Sequence, residues 1–429
     1  MSEAFFERAN GERVTPLAGY DVPPEVRLVL RLVRRWSPRC SDCGAICREQ
    51  AHEYLGFRRW LDLPWAGHTV VIEYAPIRVR CERCKSHAIE MVAWADRYQR
   101  QTQRLQQHLA LESASMPTSH VAARYGLDWS TVRRAEECAL ERWEKTREQK
   151  PLRDVGVDEK YLGRRGRQRE EDFVTIVSDN ETGEPLWIGF GRSEETLREW
   201  LQTLTVEQKK GIELFVMDMH RAYLNAVRAD PDLAHAVIVH DPFHIMKRVG
   251  TALDELRRQE FFRAGPELRA VGRGKRWLYL RAWEHCSAEQ REELSQLLRR
   301  NRTIARGYEI AEEVRAVLHL GDEGQMRLGL AHILRRTQRK NCPALRGLHD
   351  SLQRHTPQLL ALAVHRPATG RVEALNNNWE TLVRRGRGYR DLDMMLRRLR
   401  FMIANPIRNR DGIRRFLALG LPPPLKKAA

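Results

Sequence analysis

The spacing of apolar residues changes along this chain, and each change predicts a different kind of element. Between about 28 and 94, short β-branched runs such as Val70-Val71-Ile72-Glu73-Tyr74 and Ile77-Arg78-Val79-Arg80 predict strands. From 102 to about 145 the period becomes helical. Leu105, Leu109 and Leu111 open one helix, Met116-Pro117-Thr118-Ser119 ends it and caps the next, and 121–127 and 128–134 read as helix, Gly-containing turn, helix. Three strands are then expected at 154–161, 173–177 and 185–190, the last two joined by a turn from Asn180 to Gly183. After them come a helix to Leu204, a strand over 212–220 ending in an acid, a helix over 221–228, a strand over 236–239 and another helix. From about 245 to 364 the pattern is amphipathic helix throughout, with examples at 287–298, 303–318, 326–335 and 344–353. A last helix capped by Asp391 turns Leu392, Met395, Leu396, Leu399 and Met402 inward.

Strand, strand, strand, helix, strand, helix, strand is the order of a ribonuclease-H-like α/β domain, and an all-helical block of that length inside one is an insertion rather than a loop. The expected architecture is multidomain α/β. An N-terminal lead (1–34), a zinc-binding domain (35–95) and a helix-turn-helix domain (96–149) precede the first part of the core (150–244). A helical insertion (245–364), the C-terminal part of the core (365–420) and a Pro- and Lys-rich tail (421–429) follow. In the helix-turn-helix, the second helix would enter a major groove with Trp129, Ser130, Arg133 and Arg134 exposed.

Charge narrows the choice of partner. The 429 residues hold 74 Lys plus Arg against 57 Asp plus Glu, a net charge of +17, with aromatic residues interleaved among the basic ones. That surplus favours nucleic acid over an acidic protein. No signal pattern opens the chain and no apolar run is long enough to span a bilayer, so a cytoplasmic protein with no membrane partner is expected. In a reducing compartment, Cys40-Ser41-Asp42-Cys43 and Cys81-Glu82-Arg83-Cys84 read as a structural four-thiolate Zn²⁺ site rather than disulfides. Cys47 and His52 are substitute ligands without the paired spacing, and Cys138, Cys286 and Cys342 read as ordinary thiols.

Three acids stand out by position: Asp158 inside the first core strand, Asp218 at the end of the fourth, and Glu373 at the start of a late helix. A carboxylate in a buried strand costs several kcal/mol unless it is paired or metal-bound. In this fold class the first and fourth strands are neighbours, so the acids would converge, and carboxylates gathered at one point need cations between them. Two Mg²⁺ (or Mn²⁺) ions are the usual solution in phosphoryl-transfer sites. Asp154, Glu159, Asp172 and Glu380 are competitors at edge or loop positions, and Asp179 belongs to the turn.

At these residues the chain resembles the ISL3 family of insertion-sequence transposases, which are DDE transposases. The likeness rests on the two Cys-x-x-Cys pairs, the helix-turn-helix, Gly156-Val157-Asp158-Glu159, Met217-Asp218-Met219, Asp241-Pro242-Phe243-His244 and Val372-Glu373-Ala374-Leu375-Asn376-Asn377, and it covers roughly 35–405. The resemblance implies Asp158, Asp218 and Glu373 as the metal-binding triad and Asp241 with His244 as an accessory pair. It also implies end recognition by the N-terminal domains and movement of the element between short inverted repeats. Trp277 lies where related insertions place an aromatic that stacks on an unpaired base; a core position is the other reading. Asn376 and Asn377 read as phosphate or metal-shell ligands, or as helix caps. Arg384, Arg385 and Arg387 read as a clamp on the DNA backbone, and Arg164, Arg165, Arg167 and Arg169 invite the same reading.

The expected protein is therefore a Mg²⁺-dependent DNA transposase of a bacterial insertion sequence. It would bind double-stranded DNA at its terminal inverted repeats and at the target, and be at least a homodimer on DNA. The rivals are a non-catalytic DNA-binding regulator derived from a transposase, and a ribonuclease-H-like nuclease acting on RNA or junctions.

Overall fold

The computed structural model describes residues 3–14, 25–35, 37–47, 50–148, 151–162, 172–263, 265–338, 342–367, 370–386 and 391–419; at 50–54, 268 and 370–373 the backbone alone is described. The basic loop 163–169 and Arg387 lie outside these residues, as do the side chains of His52 and Glu373. The chain divides into two compact units, 1–149 with 404–429, and 150–403.

The first unit opens with strands the apolar pattern did not announce: β1 (Glu3–Glu7), β2 (Arg13–Val14) and β3 (Arg27–Arg31). They join β5 (Arg58–Trp65) and β6 (His68–Tyr74) in a sheet of order β2-β1-β3-β6-β5, in which β3 and β6 run parallel. Charge fixes that sheet as well as apolar contact. The Arg59 guanidinium donates to Glu7 at 3.0 Å and to Glu73 at 2.9 Å, and Arg31 lies 2.6 Å from the same Glu73, so both buried acids are paired. A second sheet, β4 (Gln50–Tyr54), β7 (Ile77–Arg80) and β8 (His87–Ile89), stands beside the cysteine pairs. Helices α1 (Gln103–Ser113), α2 (Thr118–Tyr125) and α3 (Trp129–Glu144) pack around Leu105, Leu109, Val121, Val132 and Ala135. The Thr102 hydroxyl caps α1 by accepting from the Leu105 N–H at 3.2 Å, and itself donates to buried Asp62 of β5 at 2.7 Å. Gly126 ends α2 at φ 62°, a left-handed conformation that favours glycine and gives the turn before α3.

The second unit is built on strands β9 (Asp154–Tyr161), β10 (Phe173–Asp179), β11 (Pro185–Phe190), β12 (Leu214–Met217) and β13 (Val237–His240), in the order β11-β10-β9-β12-β13. The first three are antiparallel; β12 is parallel to both β9 and β13. One face packs Val155, Val157, Val177, Phe215 and Met217 with residues of α4 (Glu194–Gln202) and α6 (Arg221–Arg228). Between those helices in sequence lies the short α5 (Val206–Gly211). The polypeptide then runs through α7 (Pro242–Arg263), α8 (Pro266–Gly272), α9 (Arg276–Leu280), α10 (Ala288–Arg299), α11 (Arg302–Leu318), α12 (Glu323–Thr337), α13 (Pro343–Arg354) and α14 (Thr356–His365). Helices α7 and α9 to α14 share one core with Leu214, Val216 and Val239 of the sheet. Finally α15 (Gly370–Gly386) and α16 (Leu392–Ala404) bring Leu375, Trp379, Leu382, Met395 and Leu399 against Val174, Ile176 and Ile188 on the opposite sheet face. Asp391 caps α16 as its sequence position predicts, accepting from the Met394 N–H at 3.0 Å. Beyond it, α17 (Arg410–Ala418) returns to the first unit and packs on α1, although the apolar pattern groups 365–420 with the core. No helix among the described residues is long and apolar enough to cross a membrane.

The long helix α7 is held by α11 at close range. A Cβ on Gly307 would fall 2.4 Å from Leu256 Cδ2 and 3.2 Å from Leu253 Cδ1, both buried, whereas a Cβ on Gly250 meets nothing within 4 Å. Gly307→Val is therefore expected to destabilise the second unit by about 1–3 kcal/mol through overpacking. Gly250→Ala should stabilise it by about 0.5–1 kcal/mol through helix propensity. Unfolding midpoints in denaturant test both signs, and a tolerated Gly307→Val would contradict the packing of α11 on α7.

Candidate functional site

Two sites can be built from residues upward, and they differ in the chemistry of their donor atoms. The first is the cysteine cluster of the first unit. Each Cys-x-x-Cys knuckle is closed by a residue at positive φ, Gly44 at 71° and Lys85 at 57°, which turns the backbone so that N–H groups face sulfur. The Asp42 N–H reaches Cys40 Sγ at 3.3 Å. Cys40 Sγ lies 3.6 Å from Cys84 Sγ, and Cys43 Sγ lies 3.4 Å from Cys81 Sγ. Among the described residues these four cysteines are the group whose ligand atoms all fall within 4.8 Å of one another. Backbone N–H groups of Cys84 and Arg83 are among the forces that hold the Cys81 thiol below its ordinary pKa, and the Ser86 hydroxyl does the same for Cys84. At Cys40, burial works the other way but is outweighed by the Ser86 hydroxyl and the knuckle N–H groups. Such a set suits a thiophilic metal ion. Cys47 is buried in the same small core but is not one of the four.

The second site lies at the C-terminal edge of the parallel strands. Asp158 is directly opposite Ile176 across the β9–β10 ladder, so it shares the sheet face that α15 and α16 cover. Met217 is in register with Val157, which puts Asp218, one residue later, beside Asp158. Met217 also pairs with His240, and the Asp241 N–H donates to the Met217 carbonyl at 3.0 Å, so Asp241 completes the row at the end of β13. Asp241 caps α7 by accepting from the Phe243 N–H at 2.9 Å. That cap carries His244, in the first turn of α7, between the acids. Its Nδ1 is 3.2 Å from Asp218 Oδ2, and its Nε2 is 3.7 Å from Asp158 Oδ1 and 3.9 Å from Asp241 Oδ2. Asp158 also pairs with Lys160 of its own strand at 2.7 Å, and its Oδ1 accepts from the Glu159 N–H at 2.8 Å.

The electrostatics follow from this crowding. Burial raises the Asp241 pKa, and the charges on Asp158 and Asp218 push the same way against a smaller opposing pull from the Phe243 N–H and His244. For Asp218, burial also pushes upward, but the bond to His244 and the Met219 N–H win and its pKa falls. His244 is the mirror case: burial disfavours its cation, and the three surrounding carboxylates more than offset that.

Glu373 is in the first turn of α15, two residues before Leu375, which shares a core cluster with Ile176, the cross-strand neighbour of Asp158. One turn further on, Asn376 Oδ1 is a buried acceptor without a hydrogen-bond partner among the described residues. Of the competing acids, Glu159 points to the other sheet face and lies 3.5 Å from Arg192, Asp179 accepts from the Glu181 and Thr182 N–H groups of its turn, and Glu380 pairs with Arg384 at 2.7 Å.

The basic and aromatic candidates separate by exposure. Trp129, Ser130 and Arg134 are exposed at the start of α3, and Arg133 is half-buried. Trp277 is 72% exposed with the Arg276 guanidinium 4.6 Å from its ring centre, which is no core position. Arg384 and Arg385 lie in the last turn of α15. Sequence reading passed over Lys160, Lys247 and Arg248. The last two follow His244 by one helical turn, a spacing visible in the sequence once His244 is taken as a site residue.

A DDE-type transposase model of the ISL3 family matches residues 155–399. A second model, the helix-turn-helix domain of transposase family ISL3, matches residues 90–136. The transposase for insertion sequence element IS1001 of Bordetella parapertussis is 29% identical over 364 residues, covering 84% of this chain and 87% of the relative. The transposase for insertion sequence element IS1557 of Mycobacterium tuberculosis is 25% identical, covering 84% of this chain and 86% of the relative. With the transposase model spanning more than half its length, the chain belongs to the ISL3 family of insertion-sequence transposases.

Proposed function

We propose that this chain cuts and joins DNA at the ends of its own element by metal-assisted phosphoryl transfer, with Asp158, Asp218 and Glu373 as the triad. The observation that carries the reading is the pairing of Asp158 and Asp218 at matched positions of adjacent parallel strands, with Asp241 and His244 closing the edge. The strand order and its antiparallel-then-parallel pattern support a ribonuclease-H-like core, and the helices between β13 and α15 support an insertion within it.

The donor set fits hard divalent cations: crowded carboxylate oxygens, a buried acceptor on Asn376 without a partner among the described residues, and the Lys160 ammonium and His244 imidazole already drawn among the acids. When bound, two Mg²⁺ or Mn²⁺ ions supply activation of the attacking oxygen and charge stabilisation of the leaving one. Asp241 holds His244 in place by capping α7, and His244 spaces Asp158 from Asp218. The scissile phosphate is thereby met in line by water, and afterwards target DNA by the released 3′-hydroxyl, without a covalent enzyme intermediate.

End recognition falls to the first unit. The four thiolates hold structural Zn²⁺ and brace the sheets, and α3 presents Trp129, Ser130, Arg133 and Arg134 to the terminal repeat. Trp277 stacks on an unpaired base, and Arg384, Arg385 and Arg387 hold the DNA backbone. Joining two ends requires at least a dimer on DNA, and the work is done on bacterial cytoplasmic DNA.

Elemental analysis of the purified chain is expected to find one zinc per polypeptide. Cys43→Ser with Cys81→Ser should lose it and weaken repeat binding more than tenfold; retention of full stoichiometry by the double variant would rule out the four-thiolate site. The catalytic reading is tested with DNA carrying both flanks of the element. Wild type is expected to nick a fixed position in each flank when Mg²⁺ is added, and Glu373→Gln to bind equally well but cleave at least about 10³-fold more slowly. Specific binding with no cleavage under any divalent metal would make the chain a regulator, and undiminished cleavage by Glu373→Gln would displace Glu373 from the triad.

A further inference from the structure

A groove of about 440 Å³ starts at Asp218 and His244 and runs along α7, walled on the far side by the beginning of α13. Its α7 wall is one helical face, His244, Lys247, Arg248, Thr251 and Glu255, at steps of three and four residues. From His244 to Glu255 that face extends about 16 Å. The opposite wall is formed by Pro343, Ala344, Gly347 and Leu348, and at its exposed Gly347 an added Cβ would meet nothing within 4 Å.

Charge distinguishes this groove from an ordinary cleft between helices. Lys247 and Arg248 are exposed, and no acidic partner lies within ion-pair distance of either among the described residues. Further along the same helix arginines do have an acidic partner: Asp254 pairs with Arg257 at 2.7 Å and Arg258 at 2.9 Å, and also takes Arg276 of α9 at 3.0 Å. Two exposed cations are thus held one turn beyond His244, across from a wall that is open at Gly347. An inorganic anion would need no groove of this length. A phosphodiester chain carries its charge at regular intervals and is narrow enough to pass.

We propose that this groove is the track of one DNA strand leaving the acid edge, with Lys247 and Arg248 gripping the first or second phosphodiester beyond the scissile one. The proposal rests on the reading of the acid edge as the cleavage centre. It makes Lys247 and Arg248 positioning residues, and it makes the DNA on one side of the cut thread between α7 and α13 while the first unit holds the repeat.

The test uses the full-length chain and terminal-repeat DNA in which single phosphates near the cut are replaced by neutral methylphosphonates. In wild type, a neutral linkage one or two positions from the cut, on one side only, should slow cleavage about tenfold. Lys247→Gln and Arg248→Gln should be slowed similarly and become insensitive to that same replacement. Each should also flatten the dependence of log kcat/KM on log salt by ~0.7–0.9, Lys247→Arg restoring most of the loss. Gly347→Leu, at an open and exposed helical position, should block the track and depress cleavage while leaving repeat binding within about twofold of wild type. Asp218→Asn separates the two readings. If it is inactive while the groove variants keep wild-type cleavage, salt slope and methylphosphonate sensitivity, the strand track is wrong and the cleavage centre stands. If Asp218→Asn cleaves normally, both readings fall.

Discussion

Mutual repulsion of carboxylates at one sheet edge is the constraint on which the second unit depends. Three aspartates end up side by side because β9, β12 and β13 run parallel in consecutive register, so that positions 158, 218 and 241 fall in a row. Left alone, such a row would raise its own pKa values, as burial and the neighbouring charges do at Asp241. The fold answers with the Lys160 cation on Asp158, the His244 ring among all three, and the N-terminus of α7 capped by Asp241. An acid row placed beside a helix start makes a site that is satisfied by positive charge and by nothing apolar.

The two units use opposite donor chemistry for opposite purposes. Sulfur in the first unit is gathered by two tight knuckles with positive-φ closures, a rigid arrangement suited to a metal that holds structure. Oxygen in the second unit comes from strand ends and helix starts distant in sequence, an open arrangement suited to ions that meet a substrate. Basic residues fall into two groups that do not follow the units. Arg59, Arg31 and Arg104 are spent on buried Glu7, Glu73 and Asp62 to build the first unit, whereas Lys247, Arg248 and Arg134 remain at the surface. The positive surplus is therefore not a uniform coat; much of it is structural, and the remainder marks where a polyanion can be met.

Most of the second unit was legible in the sequence because its elements are local and strongly patterned. The strands at 154–161 and 185–190 and the helix at 221–228 have the boundaries their residue types indicate, and Asp158 was conspicuous because an acid interrupts a β-branched run. The helices of the 245–364 block were readable from periodicity within a few residues. What escaped was long-range. Strands β1 and β3 are short and polar at their flanks, and their pairing is fixed by ion pairs to β5 and β6 some forty residues later. The return of α17 to α1 leaves no local trace. Lys160 is one more basic residue in a basic stretch until its contact with Asp158 is formed, and Lys247 and Arg248 match any solvated helix face until α13 lies opposite.

The central claim is that the acid edge holds divalent cations, and Mn²⁺ binding measures it without relying on cleavage. Free Mn²⁺ titrated into the full-length chain on terminal-repeat DNA, and followed by its paramagnetic signal, should reveal two tightly bound ions per catalytic unit. Asp218→Asn and Asp158→Asn should each remove at least one of them while the zinc content stays unchanged. Unaltered Mn²⁺ stoichiometry and affinity in both variants would contradict the account, because the edge would then be an internally neutralised structural cluster.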